Sequence, residues 1–435
     1  MAGGTARSLF GLPAVFWVIW SAILVLWTGR FVVPFLSTYL VTGRALEIET
    51  ASLVVSAYGA GGVVASLLGG PLSDRVGRLP VILVSFVGSA VLLLAVPLAP
   101  GLPSLVVVLL AYGMAGHLGG PALGALIADH VAPERRQRAY VLQVWAINLG
   151  FAIGPIVAIR LERVSFTLIF VVEAAVCAVV AASLAVALRE RRIGPARWAA
   201  PAVPSPQVAG SAEGLVTGTR ARGHYRQALR DRHLVTLVTL MLAYTVVYTQ
   251  WTSTMPLAMT GQGLSLGTYA MLLTVNGVLL CLLQLPAMAV VERLPSSVAV
   301  GSGIALTGAG FALLTVAHSA AAHVAAIVII TLGELVTFPL AAAMVASLAP
   351  PRLRGTYQGL SGLTWSGSHA IGPALGGWIL ARGGAATLWA VAAAVLAAVA
   401  VAMFVTSRGR EVEIAARLGR ERVSVEETTV RAHPA

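Results

Sequence analysis

The stretch GGPLSDRVGRLP, residues 69–80, sets three glycines and two prolines among Asp74, Arg75 and Arg78. On either side the chain is almost wholly apolar, over about 51–70 and 79–98. A hydrocarbon core about 30 Å thick is crossed by roughly 20 apolar residues in a helix, since each residue adds about 1.5 Å. The charged stretch therefore reads as a tight turn between two membrane-crossing helices. Gly77 supplies the positive φ that a sharp reversal demands, and Gly70 lets two helix ends approach closely.

Outward from this turn the same pattern repeats. Apolar runs fall at about 14–41, 51–70, 79–98, 104–128, 139–159 and 165–188, then at 233–257, 268–290, 298–317, 321–347, 357–380 and 385–406. Twelve membrane spans are predicted, in an all-α polytopic fold. Composition agrees: of 435 residues, 58% are hydrophobic and 11% charged, whereas charged side chains make up about a quarter of an ordinary soluble protein. The stretch Ala14 to Leu40 is too long for a cleaved signal segment and reads as the first span.

The net charge of +12 does not indicate nucleic acid, because the basic residues lie between apolar runs and not on a module with interleaved aromatics. All 29 basic residues are Arg. The N-terminus, the loops after even-numbered spans and the C-terminus hold 24 of them, against four in the opposite loops. Without the long central loop the bias is still 15 to four. Positively charged loops stay cytoplasmic, so both termini are predicted inside a cell membrane. Cys177 and Cys281 each lie in an apolar run, and no metal-ligand or cofactor motif is present. Oligomeric state has no signature here.

Residues 189–232 form the one long break, rich in Pro, Gly, Ala and Ser like a flexible linker, with HYRQALRDRHL reading as a short interfacial helix. The expected layout is a six-helix bundle over 1–188, this linker, a second bundle over 233–406 and a solvated tail over 407–435. The halves repeat at an offset of 218: AIGP stands at 152–155 and 370–373, and Pro121, Pro133, Arg136 and the pair Asp74-Arg75 fall on Pro339, Pro351, Arg354 and Glu292-Arg293. Several matches at one offset argue for a duplicated six-helix unit, the plan of a carrier with its site between the halves.

Gly70, Leu72, Ser73, Asp74, Arg75, Gly77 and Arg78, placed between the second and third spans, resemble the signature loop of the major facilitator superfamily, and the six-plus-six layout resembles that family along nearly the whole chain. The resemblance implies a gate: Asp74 and the neighbouring arginines form an ion cluster when the inner side closes. Leu79 departs from the basic residue often found there. In the fifth span Gly150, Gly154 and Pro155 resemble the antiporter motif of the superfamily's drug:proton exporters, although Ala158 and Ile159 replace its terminal glycine pair. Small residues four apart permit close helix contact, and a proline adds a kink. FVVPFLSTYL, TQWTSTMPL and LGELVTFP resemble the same group.

Ionisable groups inside spans cost roughly 2.5 to 3.5 kcal/mol on insertion scales, which makes each a functional candidate. They are Arg30, His117, Glu173, Glu334 and His369. By resemblance the first, fourth, seventh and tenth spans line a central cavity, which places Arg30, His117 and Glu334 near water. Glu334 is expected to carry or control a coupling proton, with Arg30 biasing its charge or anchoring substrate, the alternative being a fixed structural ion pair or a helix–helix hydrogen bond. Glu173 reads as a peripheral packing contact. His369 shares a helical face with Gln358, Ser361 and Trp365. On the seventh span Tyr244, Tyr248 and Trp251, with Gln250 adjacent, are candidates for holding flat amphipathic compounds, the alternative being ordinary packing.

The function these features imply is secondary active transport by alternating access, exporting small amphipathic compounds in exchange for protons. A proton-linked uptake or metabolite permease of the same superfamily is the alternative. A membrane-embedded receptor or enzyme lacks support, since no nucleophile-base pair, metal cluster or phosphate loop is found.

Overall fold

The computed structural model describes residues 11–190, 225–291, 294–350 and 353–417. Among them it is helical throughout, with no strand. Ten helical stretches cross once: Ala14–Gly43, Ile48–Val76, Arg78–Leu98, Leu102–His130, Pro133–Glu162, Phe166–Glu190, the seventh span opening with Arg232–Tyr248, then Leu266–Val291, Ser296–Leu314 and Ala320–Leu348. The helical stretch Arg354–Val405 has 52 residues, about 78 Å if straight, more than twice the hydrocarbon thickness. Gly384 interrupts it at φ 74°, ψ 177°, a conformation closed to residues with a side chain. The chain reverses there, giving the eleventh and twelfth spans. Among the described residues this makes twelve crossings, the number expected.

The turn at 69–80 is tighter than a loop. Helix runs to Val76 and resumes at Arg78, so Gly77 alone is non-helical, at φ 95°. Arg78 donates to Asp129 Oδ2 at 3.4 Å, tying this turn to the end of the fourth span. Gly70 and Asp74 are described by backbone alone. Glu292, Arg293 and Pro351, partners in the predicted repeat, lie outside the described residues, as does most of the linker.

Packing repeats between the halves. In the N-terminal half the first span packs on the fifth, the second on the fourth, and the third on the fourth and sixth. In the C-terminal half the seventh packs on the eleventh, the eighth on the tenth, and the ninth on the tenth and twelfth. The second span meets the eleventh, and the fifth meets the eighth. Exchanging the halves converts each of these contacts into the other, which is rotational pseudosymmetry.

Individual residues obey it. Ser66 meets Ser366 at 2.8 Å across the interface, and 218 positions on, Asn148 donates to Gln284 at 3.3 Å. A Cβ on Gly59 would lie 2.3 Å from the Ala370 nitrogen, and one on Gly277 would lie 2.8 Å from Ala152. Both glycines are needed because backbone meets backbone there.

On the outside of the bundle, Val84, Val87, Val91, Leu94 and Leu98 recur at helical spacing along the third span and are exposed. Such an apolar stripe suits lipid. The face remote from the chain ends is closed: Val32–Thr38 packs on Gln250–Ser253 and Met255–Gly261, Phe35 touches Tyr269 at 5.7 Å, and Glu49 pairs with Arg382 at 3.6 Å.

One expectation is corrected. Residues 407–417 are not a solvated tail but a helix docked on the C-terminal half. Arg410 is 1% exposed and donates to Ser297 Oγ at 3.0 Å and to the Met403 carbonyl at 2.9 Å. Arg417 bonds Asp231 Oδ2 at 2.8 Å and the Leu348 carbonyl. The stretch is charged because its arginines answer the free carbonyls and the aspartate at the ends of neighbouring spans, where a cation is favourable.

Candidate functional site

The first span breaks at Arg30, whose φ −89°, ψ 72° is not helical. Pro34 explains the position: it has no N–H for the Arg30 carbonyl, and its ring collides with a carbonyl four residues back. The break turns the Arg30 guanidinium toward the second and fourth spans. Its Nη2 donates to Tyr58 Oη at 3.2 Å and to the Gly116 carbonyl at 3.5 Å, and the guanidinium lies 5.3 Å from the Trp27 ring. Arg30 is only partly buried, and none of its hydrogen bonds consumes its full set of five donors.

The amides freed by the break are taken by Glu173 of the sixth span. Oε2 accepts from Phe31 N at 3.1 Å and Val32 N at 2.7 Å, while Oε1 accepts from Tyr112 Oη at 2.9 Å. Glu173 is 2% exposed. Each of those amides would cost about 1 to 3 kcal/mol if buried unpaired. The expected packing contact is present, but its partner is the break itself.

In the C-terminal half the same positions carry different chemistry. Tyr248, Asn276 and Glu334 stand 218 residues after Arg30, Tyr58 and Gly116. Asn276 Nδ2 donates to Glu334 Oε2 at 2.9 Å, and the Tyr248 hydroxyl also hydrogen-bonds that carboxyl. Glu334 is half-buried, so one side stays accessible. Beside it lies an aromatic surface: Phe338 stacks on Trp365 at 4.8 Å, Tyr248 meets Phe338 edge-on at 5.2 Å, and Trp365 stacks on His369 at 6.0 Å. Trp365 is 38% exposed at the centre of this surface.

Arg30 and Glu334 belong to separate clusters. The titratable neighbours of Arg30 are Tyr58, Tyr112, Glu173, His117 and His369, whereas Glu334 is held by Asn276 and Tyr248. Arg30 and Glu334 form no ion pair, and Glu334 makes the helix–helix hydrogen bond of the structural alternative, with Asn276. His117 and His369, from opposite halves, both lie against the second span, at Gly62 and Gly59. Each gives its Nδ1 to a carbonyl one turn back, Gly113 and Trp365, at 2.9 Å, which leaves Nε2 of each ring free of a protein partner. Among the described residues no group of three or more metal-ligating side chains occurs.

Tyr244, Gln250 and Trp251 are enclosed between helices. Gln250 Nε2 donates to the Val246 and Gly372 carbonyls at 2.8 Å, Tyr244 meets Thr307 Oγ1 at 3.4 Å, and Trp251 is 2% exposed against Tyr269. These positions take the packing alternative, and Tyr248 alone reaches the carboxyl. Sequence reading passed over Tyr58, Tyr112, Asn276 and Phe338. The signal available for Tyr58 and Asn276 was the offset of 218 applied to Arg30 and Glu334.

The motif Gly150, Gly154, Pro155 packs as its small residues require. A Cβ on Gly150 would lie 2.7 Å from Trp27 Cβ, and one on Gly154 would lie 2.8 Å from the Thr28 carbonyl. Its repeat does the same: a Cβ on Gly372 would lie 2.2 Å from Thr249 Oγ1 and 3.1 Å from the Val246 carbonyl oxygen. The fifth span thereby fixes the helical turn that ends at Arg30.

The family model described as Major Facilitator Superfamily matches residues 15–367 and 252–434. YqjV of Bacillus subtilis (strain 168), an uncharacterised MFS-type transporter, is 27% identical over 83% of this chain and 85% of its own length. The multidrug resistance protein MdtH of Cronobacter sakazakii is 24% identical over 73% of this chain and 74% of its own. A crystal structure of a POT family transporter superposes with a TM-score of 0.77 at 16% identity, covering 93% of this chain and 98% of that one.

Proposed function

Since the chain belongs to the major facilitator superfamily and is thus a membrane transporter of small molecules, not an enzyme, we propose that it exports small amphipathic compounds in exchange for protons. The observation that carries this reading is the Glu334 carboxyl, half-buried, held by neutral donors and bordered by the Phe338–Trp365 aromatic surface. A carboxyl in a partly dry setting has its charged form disfavoured, so it binds and releases a proton as solvent access alternates. An aromatic wall beside it holds flat apolar bodies without demanding one hydrogen-bond pattern. The likeness to a multidrug resistance protein is in keeping with such cargo.

Arg30, with the free Nε2 edges of His117 and His369, supplies the polar counterpart for a substrate's acceptor groups. The charged turn at Asp74, Arg75 and Arg78 acts as the gate on the side of the termini, which the Arg bias places in the cytoplasm of the cell. Alternating access is the rocking of the two halves about the second/eleventh and fifth/eighth contacts.

Efflux of fluorescent amphipathic compounds, measured in everted vesicles with and without an uncoupler, tests the reading. Wild-type protein is expected to accumulate compound only while the proton gradient stands, and Glu334→Gln to lose that dependence. Gradient-driven accumulation undiminished in Glu334→Gln overturns the coupling role. Asp74→Asn is expected to insert normally and to lose transport.

A further inference from the structure

Glu173 lies on the sixth span and is buried against the break in the first span. We propose that Glu173 is the positioning residue for Arg30: it pins the break in the first span, holding the guanidinium toward the substrate side and the Val32–Thr38 helix in the closure of the far face. The proposal rests on Arg30 belonging to the transport site.

The contacts form a ring through four spans. Glu173 takes the Phe31 and Val32 amides on one oxygen and the Tyr112 hydroxyl on the other. Tyr112 packs on Tyr58 with ring centroids 5.1 Å apart, and Tyr58 Oη accepts from Arg30. Arg30 immediately precedes the pinned amides, so the ring closes through one peptide unit. Turning the backbone that carries Arg30 therefore breaks the bonds at Glu173 as well as the bond to Tyr58.

The same pinned helix touches the seventh-span segments and carries Phe35 against Tyr269. A residue that fixes the break thus fixes the cation and the far-side closure together. The repeat supplies an internal control. The counterpart of Glu173 is Val391, and in that half Tyr248 is helical and Thr249 keeps φ −63°, ψ −15°. Where no amide is released, no carboxylate stands opposite.

The chemistry separates positioning from charge. A carboxylate accepts on both oxygens. Glutamine keeps one oxygen for both amides and offers its NH₂ to the Tyr112 oxygen, so Glu173→Gln preserves the ring, whereas Glu173→Val leaves both amides and Tyr112 without it. Hydrogen–deuterium exchange over residues 30–38 in the intact, lipid-reconstituted protein reads the pin without needing a substrate. Losing a buried hydrogen bond corresponds to roughly tenfold, so Glu173→Val is expected to raise exchange there about tenfold and apparent KM similarly, with kcat retained. Glu173→Gln is expected within about threefold of wild type on both readouts, the range of a conservative change that keeps each bond.

Wild-type exchange over 30–38 in Glu173→Val, or a Gln variant as impaired as the Val variant, overturns the proposal. If Glu173→Val does not fold, Glu173→Asp carries the test, since its shorter carboxylate cannot hold both amides and Tyr112 at once, and unchanged exchange over 30–38 in that variant likewise overturns it. A wild-type protein with no gradient-driven efflux would remove the export reading while leaving the exchange comparison intact. Normal efflux with unaltered exchange in the Val variant would remove the pin alone.

Discussion

At matched positions in the two halves, Arg30, Tyr58 and Gly116 face Tyr248, Asn276 and Glu334. The scaffold is shared: the same span pairs pack, and the same glycines let backbones meet at the interface. What differs is where each half places its charge. The N-terminal half puts a cation on the first span and breaks the helix there; the C-terminal half puts a carboxyl on the tenth span and keeps the seventh helical at the matching Tyr248. A guanidinium is protonated at every physiological pH, whereas a carboxyl in a dry setting can exchange its proton. On the proposed reading, one half presents a constant charge and the other a variable one.

Four experiments bear on that division, in descending order of expected effect. Removing the variable charge with Glu334→Gln is expected to lower gradient-driven efflux by about 100-fold, within the range for a group essential to proton transfer, and to flatten its pH profile. A retained pH profile would place the proton elsewhere. Removing the constant charge with Arg30→Gln is expected to raise apparent KM by roughly 10- to 100-fold, the equivalent of hydrogen bonds to a charged donor, while leaving the pH profile in place. If both variants alter the profile alike, the halves do not divide the work.

The interface glycines sharpen the comparison geometrically. A Cβ on Gly59 would lie 2.0 Å from the His369 carbonyl carbon, and one on Gly277 would lie 2.8 Å from Ala152. Overpacking costs about 1 to 3 kcal/mol, so Gly59→Ala is expected at the upper end and Gly277→Ala at the lower. Both changes should open the far face, seen as greater reactivity of a cysteine placed at Phe35.

The smallest effect concerns the docked terminal helix, which has no described equivalent in the N-terminal half. Burial pushes the Asp231 carboxyl up, but hydrogen bonds from Tyr357 and Arg417, with the charge of Arg417, hold it below its ordinary value. A depressed folded value means that the stabilisation is complete above the unfolded pKa, about 3.9, and is lost as pH falls through the lower folded value. Asp231→Asn is expected to lower thermal stability slightly at pH 7 and to remove part of the acid-induced loss. An unchanged acid limb would show that the contact carries no linkage.

Much of this architecture was legible in the residues. Gly77 was expected to take positive φ and does. The offset of 218, found from AIGP and a few prolines, extends to Ser66–Ser366 and Gln284–Asn148, pairs that no local motif singles out. The site was less legible. Tyr244, Gln250 and Trp251 have cavity-like spacing on a helical wheel, yet their side chains are taken up by neighbouring spans. Helical periodicity specifies a face, and only packing says whether that face meets a void or another helix. Residues 407–417 were misread for a related reason: Arg410 and Arg417 look solvated until Ser297 and Asp231 are brought beside them.

The sequence by itself determined the crossings and their duplication, because each follows from local chemistry: apolar length and repeated spacing. Only the tertiary structure decided that Glu173 answers the break in the first span, that Arg30 and Glu334 stand in separate clusters, and that His117 and His369 both lie against the second span. Buried polar groups take whichever partner packing delivers. For Phe31, Val32 and Tyr112 that partner is Glu173, about 140 and about 60 residues away along the chain.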